Sequence, residues 1–87
     1  MDEHRLDGNA AGGALGEIFP FEMTTAKTAC ANCASVAQVG AAMVYASAIG
    51  TVVRCATCDN ALIRVVSARG RYWLDLRGVR YLQIDET

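Results

Sequence analysis

The sequence predicts a small, mainly β protein built from antiparallel sheet, with one short amino-terminal helix and a four-cysteine staple. Three observations carry this expectation. Two Cys-x2-Cys units, Cys30–Cys33 and Cys55–Cys58, are separated by 21 residues. From Phe21 onward, short runs rich in Val, Ile, Thr and Tyr alternate with Gly, Asn and Ser, the punctuation of antiparallel strands. The chain has 87 residues, and a chain of that size buries only about 60 to 65% of the surface its unfolded form exposes, so a staple is expected beside a thin core.

The elements follow in order. Residues 1–22 carry Asp2, Glu3, Asp7, Glu17 and Glu22 against Arg5, a local charge of −4. Within this acidic segment, Asp7 or Asn9 can cap a short helix whose apolar residues Ala11, Ala14, Leu15, Ile18 and Phe19 share a face, and Pro20 stops it. Gly12, Gly13 and Gly16 each cost about 1 kcal/mol relative to Ala, so the helix needs docking through Leu15, Ile18 and Phe19. Residues 23–87 make the β region, and the two parts read as a single domain. Candidate strands are Phe21–Ala26, Gly40–Ala46, Thr51–Arg54, Leu62–Ser67, Arg71–Leu76 and Val79–Ile84. Turns at Ser47-Ala48-Ile49-Gly50, Ala68-Arg69-Gly70 and Arg77-Gly78 each offer glycine for a positive φ, and the last two hairpins have the strongest pattern.

Composition limits the function classes. With 53% hydrophobic and 20% charged residues, the chain is an ordinary globular one, neither disordered nor fibrous. Eight basic and nine acidic side chains give a net charge of −1, which excludes a wholly basic nucleic-acid binder. The stretch Met1-Asp2-Glu3-His4-Arg5 is acidic where a secretory or mitochondrial signal needs positive charge, so a cytoplasmic location is expected. No charge lies between Lys27 and Arg54, but that stretch is rich in small and polar residues, and a span would hold the cysteine pairs about 30 Å apart. No membrane partner is expected.

In a reducing compartment, paired cysteines are more often metal ligands or redox groups than structural disulfides. Two thiolates separated by two residues can face one ion if the chain turns tightly between them. Two such turns supply the four-sulfur tetrahedron that Zn²⁺ accepts at about 2.3 Å. Cys30, Cys33, Cys55 and Cys58 are therefore the expected ligands of one Zn²⁺ per chain. Four protein ligands close the shell, so the ion is structural and activates no water. Metal binding worth roughly 10 to 16 kcal/mol is as large as the 5 to 15 kcal/mol net stability of a typical domain, so folding is expected to need it.

These knuckles resemble those of the zinc-ribbon proteins, in which cysteine pairs at the ends of β-hairpins clamp one zinc. The resemblance runs from Lys27 to about Leu76. More narrowly, Leu6-Asp7-Gly8-Asn9-Ala10-Ala11-Gly12, the two knuckles and Trp73-Leu74-Asp75-Leu76-Arg77-Gly78 are similar to a family of short, mainly actinobacterial zinc-ribbon proteins of unknown function. The resemblance implies a zinc-ribbon fold and the same four ligands. The chain departs from the commonest knuckle, Cys-Pro-x-Cys-Gly, with Ala31 and Ala56 in the proline place and Ala34 and Asp59 in the glycine place.

Other readings of the cysteines are buried small hydrophobes, a rubredoxin-like iron site and a thiol switch in which oxidation ejects zinc. His4, 26 positions before Cys30, reads as a solvated terminal histidine. Asp7, Glu17, Glu22, Asp59, Asp75 and Asp85 sit in no nucleophile motif or phosphate loop, so no enzyme is expected.

The carboxy-terminal half carries a second pattern. Arg54, Arg64, Arg69, Arg71, Arg77 and Arg80 against Asp59 and Asp75 give +4 over positions 54–80. Strand alternation over Arg71–Leu76 puts Tyr72, Leu74 and Leu76 on a core face and Arg71, Trp73 and Asp75 on the other. Arg64, Arg71, Trp73 and Tyr81 are candidate binding residues, with Trp73 a stacking platform beside Tyr81. A competing arrangement lays the acidic segment over the arginines, with Trp73 beneath the helix. The expected function is that of a structural zinc-binding module for a protein partner or its own copy. Nucleic-acid binding through the arginines and Trp73, and redox or metal sensing at the knuckles, are the alternatives.

Overall fold

Alternating apolar residues in the carboxy-terminal two thirds of the chain fold as antiparallel sheet, as the pattern predicts. The computed structural model describes residues 4–6 and 8–85. Its elements are β1 (His4–Leu6), α1 (Gly8–Gly16), β2 (Lys27–Cys30), β3 (Val36–Gln38), β4 (Met43–Ala46), β5 (Gly50–Arg54), β6 (Ala61–Ala68), β7 (Arg71–Asp75) and β8 (Val79–Gln83), with short 3₁₀ turns at Met23–Thr25 and Val39–Ala41. The strands make two sheets where one was expected. A five-stranded sheet runs β1-β4-β5-β6-β7, and a three-stranded sheet runs β3-β2-β8. All pairings are antiparallel.

Several expected elements shift, each for a local reason. Phe21–Ala26 is not a strand: Glu22 accepts hydrogen bonds from the Thr24 hydroxyl at 2.6 Å and the Thr24 backbone N–H at 3.3 Å, which winds Met23–Thr25 into a turn. The extended segment begins at Lys27 instead. The helix ends at Gly16 rather than running to Pro20, and the N–H groups of Ile18 and Phe19 both donate to the Leu15 carbonyl. Asn9 lies inside the helix, and Asp7, the other expected cap, lies outside the described residues. The strand β1 escapes the sequence pattern because its three residues are too few to show alternation.

The Arg77-Gly78 hairpin does not form. After β7 the chain leaves the larger sheet and β8 pairs with β2, so among the described residues β7 has β6 as its one partner strand. Gly78 explains the departure, because its carbonyl accepts from Ala31 N–H at 2.9 Å and Asn60 Nδ2 at 3.1 Å. Of the turn glycines, Gly70 alone takes a positive φ, 74°, beside Arg69 at 54°. That pair matches the two-residue hairpin whose twist suits the flanking strands. At Gly50 and Gly78 glycine is needed for close approach, since a Cβ would collide with the carbonyls of Val65 and Ala61 respectively.

The core lies on one face of the larger sheet, where Val44, Val53, Ile63 and Val65 meet Ala11 and Leu15 of α1, Met23 and Val39. Leu15 is fully buried, as docking requires. Among the described residues no helix is long and apolar enough to cross a membrane. The uncharged stretch after Lys27 forms β2 to β5.

Candidate metal centre

Each knuckle is the turn of a β-hairpin. The first joins β2 to β3 and the second joins β5 to β6, so one belongs to each sheet. Their backbones repeat the same bonds. Ala34 N–H donates to Cys30 O at 3.0 Å and Asp59 N–H to Cys55 O at 2.8 Å. Cys30 N–H donates to Ser35 O and Cys55 N–H to Asn60 O, at 2.9 and 2.8 Å. The residues in the glycine place, Ala34 and Asp59, both adopt φ 66°. The tight turn therefore forms without the usual glycine, at a cost of about 1 to 2 kcal/mol for Ala.

The two turns bring the four sulfur atoms within 4.8 Å of one another. Cys30 Sγ lies 3.6 Å from Cys58 Sγ, and Cys33 Sγ lies 3.7 Å from Cys55 Sγ. A tetrahedron with metal–sulfur bonds of about 2.3 Å has edges of about 3.8 Å. The sulfur set thus fits a closed four-thiolate shell. Cys30 and Cys55 are buried, Cys58 is half-buried and Cys33 is exposed.

Polar groups that the cysteine spacing does not reveal surround the sulfurs. Asn32 N–H donates to Cys30 Sγ and Thr57 N–H to Cys55 Sγ, both at 3.4 Å. Across the site, Asn32 Nδ2 donates to Cys58 Sγ at 3.4 Å and Asn60 Nδ2 to Cys30 Sγ at 3.5 Å. Ser35 Oγ lies 3.4 Å from Cys55 Sγ and 3.2 Å from Cys33 Sγ. Such donors orient ligand atoms and tune their basicity. In the sequence, Asn32 and Asn60 show only as polar residues in or beside a knuckle. Which sulfur each reaches depends on how the sheets meet.

The same donors set the thiol acidities. Burial pushes Cys55 up, but Ser35 and the N–H groups of Cys58 and Thr57 outweigh it and bring its pKa to about 6. Burial also opposes ionisation of Cys30, yet the N–H groups of Cys33 and Asn32, with Asn60, hold it below its ordinary value. At Cys58, Asn32 and the Asn60 N–H favour the thiolate, but burial and the adjacent Cys33 and Cys30 sulfurs leave the thiol above its ordinary value. Thiolates this close cannot all ionise without a cation to neutralise them.

The family model for DUF6510, a family of unknown function, matches residues 1–87. The chain is a member of DUF6510. The matched stretch takes in both knuckles, the acidic segment and the arginine-rich strands. No curated protein and no solved structure matches this DUF6510 chain.

The candidate binding residues divide between the sheets. Register places Arg64 opposite Asp75, Val66 opposite Trp73 and Ala68 opposite Arg71. Arg64, Val66, Trp73 and Asp75 thus share the face of the larger sheet turned away from the core, and they line a groove there with Arg77. Tyr81 is not beside Trp73. It lies on β8 opposite Ala29, in the smaller sheet, because the chain changes sheets at Gly78. Tyr72 is 45% exposed rather than core, since α1 packs on β4, β5 and the two 3₁₀ turns. Leu74 and Leu76 do pack against the core.

Of the acidic segment, the described carboxylates Glu17 and Glu22 do not pair with the arginines, while Asp2, Glu3 and Asp7 lie outside the described residues. Trp73 is 52% exposed on the face opposite the helix. Glu17 accepts a hydrogen bond from the Tyr72 hydroxyl at 3.2 Å, and Glu22 caps its own turn. Among the described residues the ion pair is Arg77–Asp75 at 2.8 Å. Arg54 stacks over the Tyr45 ring at 5.7 Å.

Proposed function

We propose that the chain is a zinc-ribbon module of a reducing compartment, the cytoplasm, in which Cys30, Cys33, Cys55 and Cys58 hold one structural Zn²⁺. Its activity is then binding rather than catalysis. The observation that carries this reading is the close set of four sulfurs drawn from two sheets. Bound there, zinc would supply a cross-link between the sheets, with Asn32, Ser35 and Asn60 donating to the thiolates. Iron shares this ligand chemistry, so metal identity is the first thing to measure.

The surface such a module presents to a protein partner is the outer face around Trp73, with Arg64 and Arg71. A large aromatic half in solvent, flanked by guanidinium groups, is the composition of a protein-binding hot spot. The same exposed arginines support nucleic-acid binding as the second reading. Phosphate neutralisation makes log affinity fall steeply with log salt, so a salt series on any complex separates the two.

Native mass spectrometry with metal analysis, followed by circular dichroism after chelation, tests the zinc reading. One zinc per chain and loss of β-structure on chelation support it. A metal-free chain that keeps its sheets, or a chain loaded with iron, overturns it.

A further inference from the structure

Strand β7 is an edge of the five-stranded sheet, and its free side is unusual in matching itself. The two-residue turn at Arg69 and Gly70 makes Ala68 and Arg71 a hydrogen-bonded pair, so Arg71, Trp73 and Asp75 turn their backbone groups toward β6. Tyr72 and Leu74 turn theirs to the open edge. Edge strands guard against pairing with proline, a bulge or charged side chains, and the two charges of β7, Arg71 and Asp75, are of opposite sign. Here Arg71-Tyr72-Trp73-Leu74-Asp75 has no proline, and its register with β6 is regular.

We propose that β7 is a self-association edge, at which two copies of this chain pair β7 with β7 antiparallel about a twofold axis through Trp73. The proposal rests on the interaction-module reading and names the partner as a second copy. In this register Tyr72 stands opposite Leu74 of the other copy, and their outward N–H and C=O groups exchange hydrogen bonds. Trp73 meets its own counterpart as a non-hydrogen-bonded pair, where side chains come closest. Arg71 faces Asp75 at both ends, so opposite charges meet twice. Arg64 and Arg77 already flank Asp75, and the carboxylate becomes the shared centre of an arginine network.

Charge and strand length select this register: centring on Tyr72 would set Asp75 against Arg69, which lies in the turn beyond the strand. Centring on Leu74 would set Arg71 against Arg77, and parallel pairing would set Arg71 against itself. The other edges lack the match. About Tyr81, β8 would pair Val79 with Gln83 and Arg80 with Leu82, and β1 and β3 have three residues each. Pairing at β7 also covers Tyr72 and Trp73, two of the exposed large side chains. The contact is isologous, as twofold dimers require.

The test is sedimentation and native mass spectrometry of the full, zinc-loaded chain across micromolar to submillimolar concentrations. A monomer–dimer equilibrium is expected. Arg71→Asp and Asp75→Arg should each weaken it about tenfold or more, because both ends of the contact become like-charged. The double variant Arg71→Asp/Asp75→Arg should restore it, which a folding defect would not do. Hydrogen exchange adds an internal control: the Tyr72 and Leu74 amides should slow as concentration rises, while those of Arg71, Trp73 and Asp75 stay constant.

A dimer whose Tyr72 and Leu74 amides are indifferent to concentration overturns the pairing. So does a zinc-loaded chain that stays monomeric, including one that takes an acidic peptide strand on those amides instead, and that result leaves the module reading standing. A β7-paired dimer without zinc does the reverse.

Discussion

Asp75 and Arg77 are two positions apart, yet the chain turns so that the Arg77 backbone N–H and guanidinium both reach the Asp75 carboxylate, at 2.8 to 3.2 Å. The Arg77 side chain and its N–H hold the Asp75 pKa down to about 2, with Arg64 assisting. The folded pKa is depressed, so the contribution to stability is present above about pH 4 and lost as pH falls toward 2. Arg77 is 88% exposed, and salt screens the pair. Replacing Arg77 with Ala should raise the Asp75 titration midpoint partway to the ordinary carboxylate value, the backbone N–H accounting for the remainder. Carboxyl NMR through an acid titration reads this directly, and an unmoved midpoint would show that the side chain plays no part. Nothing in the sequence pairs these two residues, because +2 neighbours on a straight strand point the same way without touching. Their contact exists because β7 ends between them.

At the scale of elements, the knuckle shows a motif surviving an unfavourable sequence. Ala34 and Asp59 hold φ 66° where the commonest pattern has glycine, and the bonds that close each turn are matched pair for pair. Ala34→Gly should therefore stabilise the zinc-loaded chain by a few tenths to about 1 kcal/mol, once glycine's larger unfolded entropy is set against the relieved strain. Asp59→Gly should gain less, because Asp visits this region more readily. A thermal melt resolves the difference, since 1 kcal/mol moves Tm by about 4 to 8 °C in a domain of this size. A drop in Tm for Ala34→Gly would mean the Ala34 side chain contributes contacts that outweigh its backbone strain. The hairpins themselves are ordinary alternating strands, which is why β4 to β7 fall close to where the pattern put them.

For the whole molecule, Gly78 is where the sheets, the knuckles and the crossover meet. Its carbonyl bonds the first knuckle at Ala31 and the second at Asn60, whose amide also reaches Cys30 Sγ. A Cβ there would collide with the Ala61 backbone. Gly78→Ala should lower stability by about 2 kcal/mol or more and weaken metal binding with it, because both sheets must shift to admit the methyl. Gly13→Ala is the control: its Cβ would meet open space on a helix, so a gain of up to about 1 kcal/mol is expected. Denaturant titration and metal competition on both variants measure the contrast. Stability and metal affinity that move independently in Gly78→Ala would break the link between them.

The four clustering cysteines, the mainly β class, the short helix and the approximate positions of β4 to β7 were determined by the sequence alone. Cysteine spacing and period-2 alternation are local signals, and local signals survive in one dimension. The division into two sheets, the pairing of β8 with β2 and the separation of Tyr81 from Trp73 were decided by tertiary structure. Backbone hydrogen bonds can join strands at any sequence distance, and the partner of β8 was chosen by the Gly78 carbonyl, which carries no side-chain signature. The same holds for Asn32, Ser35 and Asn60, whose polarity is visible in the sequence and whose target sulfurs are not. It holds for the open edge of β7 as well, because a strand is an edge only by virtue of where the next strand goes.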